Sequence, residues 1–444
     1  MKANRPNVIV FMTDDQGYGD LSCMGSDDVR TPHIDRLAAG GARFTDWYAA
    51  SAVCSPSRAS LLTGRYPANA GVRSILGGRR QTSGLRTTVP TLSSELKSQG
   101  YSTALFGKWH LGVREDSRPE RHGFDETFGF MAGCIDYYSH IYYWGAPHNP
   151  LHDLWHNGEE VHEDGAYFTD LVTQRAVAHI REAANEEQPF FLYMAYNAPH
   201  YPMHAPRKYT DRFAHLPWDR RIMAAMLSAV DDGVGEIVAE LERQGVRNNT
   251  CIFYQSDNGP SRESRNWLDG TEDPYYGGSS GSLKGHKFSL YEGGIRVPGI
   301  WNWPDRIPAG QIIAEPCCAV DVLPTILKAA GGSLAELELD GRDLIPLLSR
   351  SEQLPERDLY WELGEQTAIR RGNWKLVLNG QLEEGAPASD AVHLSNVADD
   401  PGERINIRET YPALAKELAE AAMRWRESVE RRWEREWSQV LDVH

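Results

Sequence analysis

The chain has 444 residues, 41% of them hydrophobic and 24% charged, an ordinary globular composition that excludes a disordered protein. That length exceeds what one compact core holds, so a large domain with a smaller one is expected. A formal net charge of −16 excludes a nucleic-acid partner, because phosphate backbones select basic surfaces.

Met1 to Pro6 run straight into an apolar stretch with no leader-like segment, and no run approaches the roughly 20 apolar residues of a membrane helix. No membrane association is expected, and a cytoplasmic location is, with a periplasmic or secreted one only if a leader was removed. Asn7–Met12 is a near-continuous apolar run that reads as a buried parallel strand, and Asp14-Asp15 lie just past its end. Thr31–Ala39 opens on Thr-Pro and stops at Gly40-Gly41, the signals of a helix. A second helix is expected after Cys54, with Ser55 as N-cap, Pro56 as first helical residue and Gly64 as its stop. Helix Thr91–Gln99 ends at Gly100, and strand Tyr101–Phe106 leads into Gly107-Lys108-Trp109-His110. Cys134–Val161 has little periodicity and reads as a long loop. Helix Thr169–Ala184 precedes strand Phe190–Tyr196, which ends in Asn197-Ala198-Pro199-His200. Helix Asp219–Arg243 precedes strand Thr250–Gln255, which ends in Ser256-Asp257-Asn258-Gly259. Strands alternating with helices imply a mostly parallel sheet with helices on both faces.

Beyond about Pro355 the pattern changes. Leu359–Leu363, Thr367–Arg370 and Trp374–Leu378 are separated by short polar turns and read as a small antiparallel sheet. A helix from about Tyr411 to Gln439 follows. Residues 1–354 are thus expected to form the large α/β domain and residues 355–444 the small one.

In a parallel sheet, ligands bind beyond the carboxyl ends of the strands. Four expected strand ends carry Asp14-Asp15, Lys108 with His110, His200, and Asp257-Asn258, which points to one site. The two acidic pairs offer four hard oxygen donors suited to Ca²⁺ or Mg²⁺, although either pair alone could serve as a helix or turn cap. Lys108 and His110, two apart, would share one side of an extended segment. Of six cysteines, none forms a C-x-x-C pair, and Cys251 and Cys317-Cys318 sit among apolar residues as core thiols. Cys54 differs. At a helix N-terminus the dipole would lower its thiol pKa, although a buried structural thiol is an equal reading.

Cys54-Ser55-Pro56-Ser57-Arg58, followed by Ala-Ser-Leu-Leu-Thr-Gly-Arg-Tyr-Pro, resembles the signature of the type I sulfatases, and the resemblance runs from Pro6 to about Ile300. It implies an alkaline-phosphatase-like fold and conversion of Cys54 to formylglycine by a sulfatase-maturing enzyme. The hydrated aldehyde would then attack sulfur with one hydroxyl and expel sulfate through the other. It further implies a divalent ion, Ca²⁺ or Mg²⁺, held by Asp14, Asp15, Asp257, Asn258 and the modified Cys54, with Asp257 also as general base. Gly107-Lys108-Trp109-His110-Leu111-Gly112 matches the family, giving Lys108 and His110 to the sulfate. Arg58, one helical turn from Cys54, reaches the same anion, and a guanidinium fork suits tetrahedral oxyanions. His200 would contact sulfate and protonate the leaving alcohol. Gly285-His286-Lys287 followed by Glu292-Gly293-Gly294 selects Lys287 rather than Lys284, with the glycines as a backbone-packing element. This cationic set with its metal would let an acidic protein bind an anion.

Ile135-Asp136-Tyr137-Tyr138 and Leu154-Trp155-His156-Asn157-Gly158 resemble arylsulfatase and N-acetylgalactosamine-6-sulfatase relatives. A sulfated carbohydrate or aryl sulfate ester is the expected substrate. The rings of Tyr137, Tyr138, His140, Tyr142, Tyr143, Trp144, His148, His152, Trp155 and His156 would line a sugar site or simply pack. Arg262–Ser282 is expected to be a mobile lid. Three rivals stand: a phosphonate monoester or phosphodiester hydrolase, a silent metal-binding protein with unmodified Cys54, and a thiol hydrolase pairing Cys54 with His200.

Overall fold

The computed structural model describes residues 5–142, 150–262, 276–382 and 384–438. Its main sheet has ten strands, in the spatial order Gln311–Ile313, Ala42–Phe44, Gly299–Asn302, Thr250–Ser256, Asn7–Thr13, Phe190–Ala195, Ser102–Lys108, Glu126–Phe130, Trp155–His156 and Glu159–Glu160. The five from Thr250–Ser256 through Glu126–Phe130 are parallel, and antiparallel strands flank them on both sides. The four strands expected from sequence are all central. Asn7–Thr13 shows why its run is continuous: Val8, Val10 and Met12 enter one core while Ile9 and Phe11 enter the other.

Helices Pro32–Ala39, Leu92–Ser98, Phe168–Asn185 and Trp218–Arg243 form within two residues of their expected limits. The C-terminal sheet has four antiparallel strands rather than the three expected: Asp358–Leu363, Gln366–Arg371, Trp374–Gly380 and Asp390–Asn396. One face of it takes Leu418 and Ala422 from helix Pro412–Glu436, and from the other Trp361, Ala368 and Val377 join the large core. Trp361 Nε1 also donates to Ala49 O at 2.8 Å. No described helix is long and apolar enough to cross a membrane.

Of the ring-rich loop, Tyr143, Trp144 and His148 lie outside the described residues. Tyr137 is a core residue whose hydroxyl donates to His200 O at 3.0 Å, and Trp155 packs under Arg118. Tyr142 is the ring that borders a cavity over Cys54. Residues 263–275 of the expected lid also lie outside the described residues. Its tail is tied down: Gly19 N donates to Ser279 O at 2.9 Å, and Ser279 N donates to the buried Asp20.

Candidate active site

The strand ends are stitched together before any side chain is considered. Asp257 N donates to Thr13 O at 3.0 Å, and Asp14 N to Ala198 O at 3.2 Å. Asp15 sits at φ 62, a left-handed turn off the strand, and its N–H donates to Asp257 Oδ1 at 3.1 Å. Asn258 Nδ2 donates to Asp15 Oδ1 at 2.7 Å.

Helix Cys54–Thr63 is buried along its whole length and stops at Gly64, whose φ of 66 needs no Cβ. It starts at Cys54, with Val53 as N-cap, rather than after a Ser55 cap; Ser55 Oγ instead accepts from Leu76 N at 3.1 Å. Cys54 Sγ lies 3.5 Å from Asp14 Oδ1. Arg58 donates Nε and Nη2 to Asp257 Oδ2 at 3.1 and 2.8 Å, and Nη1 to Lys108 O at 3.2 Å. Lys108 Nζ is 2.6 Å from Asp14 Oδ2.

His110 departs from the sequence expectation. Its φ of 54 turns it out of the extended path, so it does not share one side of a strand with Lys108. Its Nε2 meets Leu76 O at 3.0 Å, and its ring still borders the cavity over Cys54. His200 Nδ1 lies 2.5 Å from Tyr201 O, a carbonyl that can only accept, so Nδ1 carries the proton in the neutral ring. His200 Nε2 lies 3.4 Å from Lys287 Nζ and 3.5 Å from Asp15 Oδ2. Lys287 Nζ is 2.8 Å from Asp15 Oδ2, while Lys284 lies over the Tyr291 ring. Gly293 shows why that segment needs glycine: a Cβ there would stand 2.1 Å from Gly285 O.

Asp14, Asp15, Cys54, Arg58, Lys108, His110, His200, Asp257, Asn258 and Lys287 therefore gather at one place, and none is more than 6% exposed. Each permanent cation of the cluster stands against a carboxyl group: Arg58 against Asp257, Lys108 against Asp14 and Lys287 against Asp15. Burial and the neighbouring Asp257 carboxylate push Asp14 up to about 8. Burial also pushes Asp257 up, but Arg58, Lys108 and Lys287 more than offset it and hold that carboxyl well below the usual range. The Cys54 thiol is pushed well up, because burial outweighs Lys108, Lys287 and the helix terminus. That reverses the activated thiol expected from the dipole alone. Burial also lowers His200 to about 3 despite Asp15, with Lys287 and Lys108 adding to the effect.

A divalent cation fits this donor set. One ligand atom each from Asp14, Asp15, Cys54 and His200 lies within 4.8 Å of the others, and Asp257 and Asn258 adjoin them through hydrogen bonds. Asn258 Oδ1 is buried with no hydrogen-bond partner among the described residues, as expected of an oxygen awaiting a cation.

Over this floor is a cavity of about 290 Å³ whose walls include Leu76, Tyr142 and Phe288, with Glu384 at the rim. Sequence reasoning passed over Leu76, Phe288 and Glu384. Glu384 follows strand Trp374–Gly380 in the C-terminal part, and no motif signals it. Glu292 was seen only as part of a glycine motif. It is buried, 2.9 Å from Lys375 and 3.0 Å from Arg296, and it anchors the Lys287 segment to the C-terminal sheet.

The sulfatase family model matches residues 6–333. Arylsulfatase J of Mus musculus is 32% identical over 94% of this chain and 75% of that protein. N-acetylgalactosamine-6-sulfatase of Mus musculus is 33% identical over 83% and 71%. Among solved structures, Ps i-CgsB in complex with k-i-k-neocarrahexaose superposes with a TM-score of 0.85 at 33% identity, covering 95% of this chain and 92% of that one. The phosphonate monoester hydrolase of Agrobacterium radiobacter, at 20% identity and a TM-score of 0.64, shares the fold. Similarity of this extent, centred on a cysteine-headed helix facing paired carboxylates and basic side chains, has one conclusion: the chain belongs to the sulfatase family and is a sulfuric ester hydrolase.

Proposed function

We propose that this chain hydrolyses the sulfate ester of a carbohydrate, with a formylglycine made from Cys54 as nucleophile and a divalent ion, Ca²⁺ or Mg²⁺, beside it. The observation that carries the reading is the position of Cys54. It heads a buried helix at the floor of the cavity, against Asp14 and within reach of Lys108 and Lys287. As a thiol pushed up by burial it is a poor nucleophile, which argues against a thiol hydrolase and for a converted side chain. The converted residue supplies two hydroxyls on one carbon, one to attack and one to drive release of sulfate. The cation, held by Asp14, Asp15, Asp257, Asn258 and residue 54, supplies Lewis acidity toward the attacking hydroxyl and a sulfate oxygen.

The remaining work falls to the protein. Arg58, Lys108, His110 and Lys287 orient the sulfate oxygens. Asp14 Oδ1 is 3.5 Å from Sγ, and a cation beside it would favour the ionised carboxylate that can take the nucleophile's proton. Asp257, put forward as base by sequence, is committed to Arg58 through two hydrogen bonds and serves better as a ligand. His200 sits with Lys287 where the leaving oxygen departs. Its pKa rises when an anionic ester lies against it, which readies Nε2 to carry a proton.

Two observations support the substrate class. One relative is named for a sulfated amino sugar, and one neighbour was solved with a neocarrahexaose. The cavity is near the lower end of small-molecule sites, about 300–1,000 Å³, which suits a sulfate and the sugar carrying it. Mass spectrometry of the peptide spanning residue 54, from the native host, tests the nucleophile; an intact thiol there defeats the formylglycine reading. A screen of sulfated sugars, an aryl sulfate and a phosphonate monoester tests the substrate. Faster turnover of the phosphonate would move the chain to the rival hydrolase class.

A further inference from the structure

A second group of metal-ligand side chains lies outside the active site. One ring nitrogen each of His140 and His152 and a carboxylate oxygen of Asp164 lie within 4.8 Å of one another. They come from three separate stretches: a turn before strand Ile141–Tyr142, the strand Leu151–His152 paired with it, and the turn that leads into helix Phe168–Asn185.

His140 is the unusual member. It is fully buried, and neither ring nitrogen has a hydrogen-bond partner of normal geometry among the described residues. Burial holds its pKa below the ordinary histidine value against the pull of Asp136 and the Ala166 backbone, so the ring is neutral, the form that ligates. With no partner of good geometry at either nitrogen, and only a weak pull from the Ala166 backbone, this buried imidazole recovers little of its desolvation cost unless something occupies the space beside it. His152 is prepared differently. Its Nδ1 lies 3.0 Å from Glu160 Oε1, and Arg80 holds that carboxylate from the other side at 3.0 Å. With Nδ1–H donated to a carboxylate, the lone pair is on Nε2, which is buried and has no partner among the described residues. A carboxylate behind a histidine, fixing its tautomer and ring plane, is the usual support of a metal-bound imidazole. His162, stacked on the His152 ring at 4.2 Å, fixes that plane further.

We infer that His140, His152 and Asp164 form a zinc site, separate from the oxygen-rich catalytic cluster, with water at the fourth position. Two imidazoles and a carboxylate are zinc ligands, whereas calcium and magnesium prefer all-oxygen sets. The dimensions allow it. Three atoms within 4.8 Å of one another have a common point no more than about 2.8 Å from each. Bonds to zinc are about 2.0–2.2 Å, so shifts of roughly 0.7 Å close the site. The ion would fasten the base of the hairpin that carries Tyr142, a wall of the substrate cavity.

The test uses the full chain, stripped of metal and then saturated with calcium so that the oxygen site is filled. Zinc is titrated against a chromogenic competing chelator, and Co²⁺ absorption gives a second readout of nitrogen ligation. The wild type is expected to take one tight equivalent of zinc. Asp164→Asn and His152→Gln should each weaken it by at least about tenfold and abolish the cobalt band. Asp164 is exposed and His152 half-buried, so neither variant puts folding at stake. No zinc uptake by the wild type, or uptake that survives unchanged in both variants, would overturn the proposal.

Discussion

Replacing Arg58 by methionine tests whether the cluster is balanced as the structure indicates. Arg58 is fully buried and neutralises Asp257 at 2.8 Å, with Asp14 at 3.7 Å. Methionine keeps the packing but leaves two buried carboxylates with too few cations. Removing one partner of a buried ion pair costs about 3–5 kcal/mol. Unfolding entropy near 2.1 cal/mol/K per residue gives about 0.9 kcal/mol/K for 444 residues, so the melting temperature should fall by roughly 3–5 °C. The informative arm is calcium. Calcium at about 100 times its Kd stabilises whichever form binds it by about 2.7 kcal/mol, so the gap closes only by the extra affinity of the variant: removing the Arg58 charge from these carboxylates should tighten calcium by about tenfold or more, closing about 1.4 kcal/mol or more of the gap seen in chelator. Calorimetry of wild type and variant, each in chelator and in calcium, reads both numbers. A gap of equal size in the two buffers would refute the idea that Arg58 and the metal serve the same carboxylates.

Other substitutions separate the assigned roles. Cys54→Ala should abolish turnover while the protein stays folded, as circular dichroism would verify; a largely active variant removes residue 54 from the chemistry. Asp257→Ala should lower bound metal and rate together, and loss of rate at full metal occupancy, measured by elemental analysis, would assign Asp257 to proton transfer instead. His200 has a folded pKa of about 3 against 6.5 unfolded, so the unfolded chain binds the extra proton between those values and stability rises with pH across that window. His200→Gln should flatten that rise in thermal melts between pH 4 and pH 6.5, and an unchanged slope would show that the buried ring does not titrate this way. Glu384→Gln removes a negative charge from the cavity rim and should lower KM for sulfate esters by about twofold at low salt, fading as ionic strength rises. A KM indifferent to this change would place Glu384 away from the bound anion.

The parts of the site that could be read from the sequence were those that follow from alternation and strand ends. Asp14, Lys108, His200 and Asp257 each come just after an apolar run, and a parallel sheet delivers such residues to one edge. Shorter elements carried no such signal. Ala42–Phe44 has three residues, too few to show a period, and Glu126–Phe130 is interrupted by Gly129. Spacing implied that His110 lies beside Lys108, but a left-handed turn at His110 decides otherwise, and nothing local to that segment announces it. The Cys54 thiol shows the same limit. A helix start is legible in Cys54-Ser55-Pro56, and its dipole favours a thiolate; the burial that reverses this comes from the whole fold. Glu384 reaches the cavity from a sheet more than 300 residues along the chain, a proximity set by tertiary packing alone.

The same distinction bears on how an acidic protein holds an anionic substrate. The sequence motifs put Arg58, Lys108, His110, His200 and Lys287 together with a divalent ion at the anion, and in the structure each of the three permanent cations among them stands against a carboxyl group. Ion pairing offsets much of that positive charge, and a chain with a net charge of −16 repels a sulfate ester from afar. A divalent ion held by Asp14, Asp15, Asp257 and Asn258 would add two positive charges where the sulfate must sit, beside Arg58, Lys108 and Lys287. Substrate affinity should then be almost wholly conditional on the metal. The acidic exterior would cost little, because a cation at the cavity floor outweighs charges that lie beyond a Debye length and are screened.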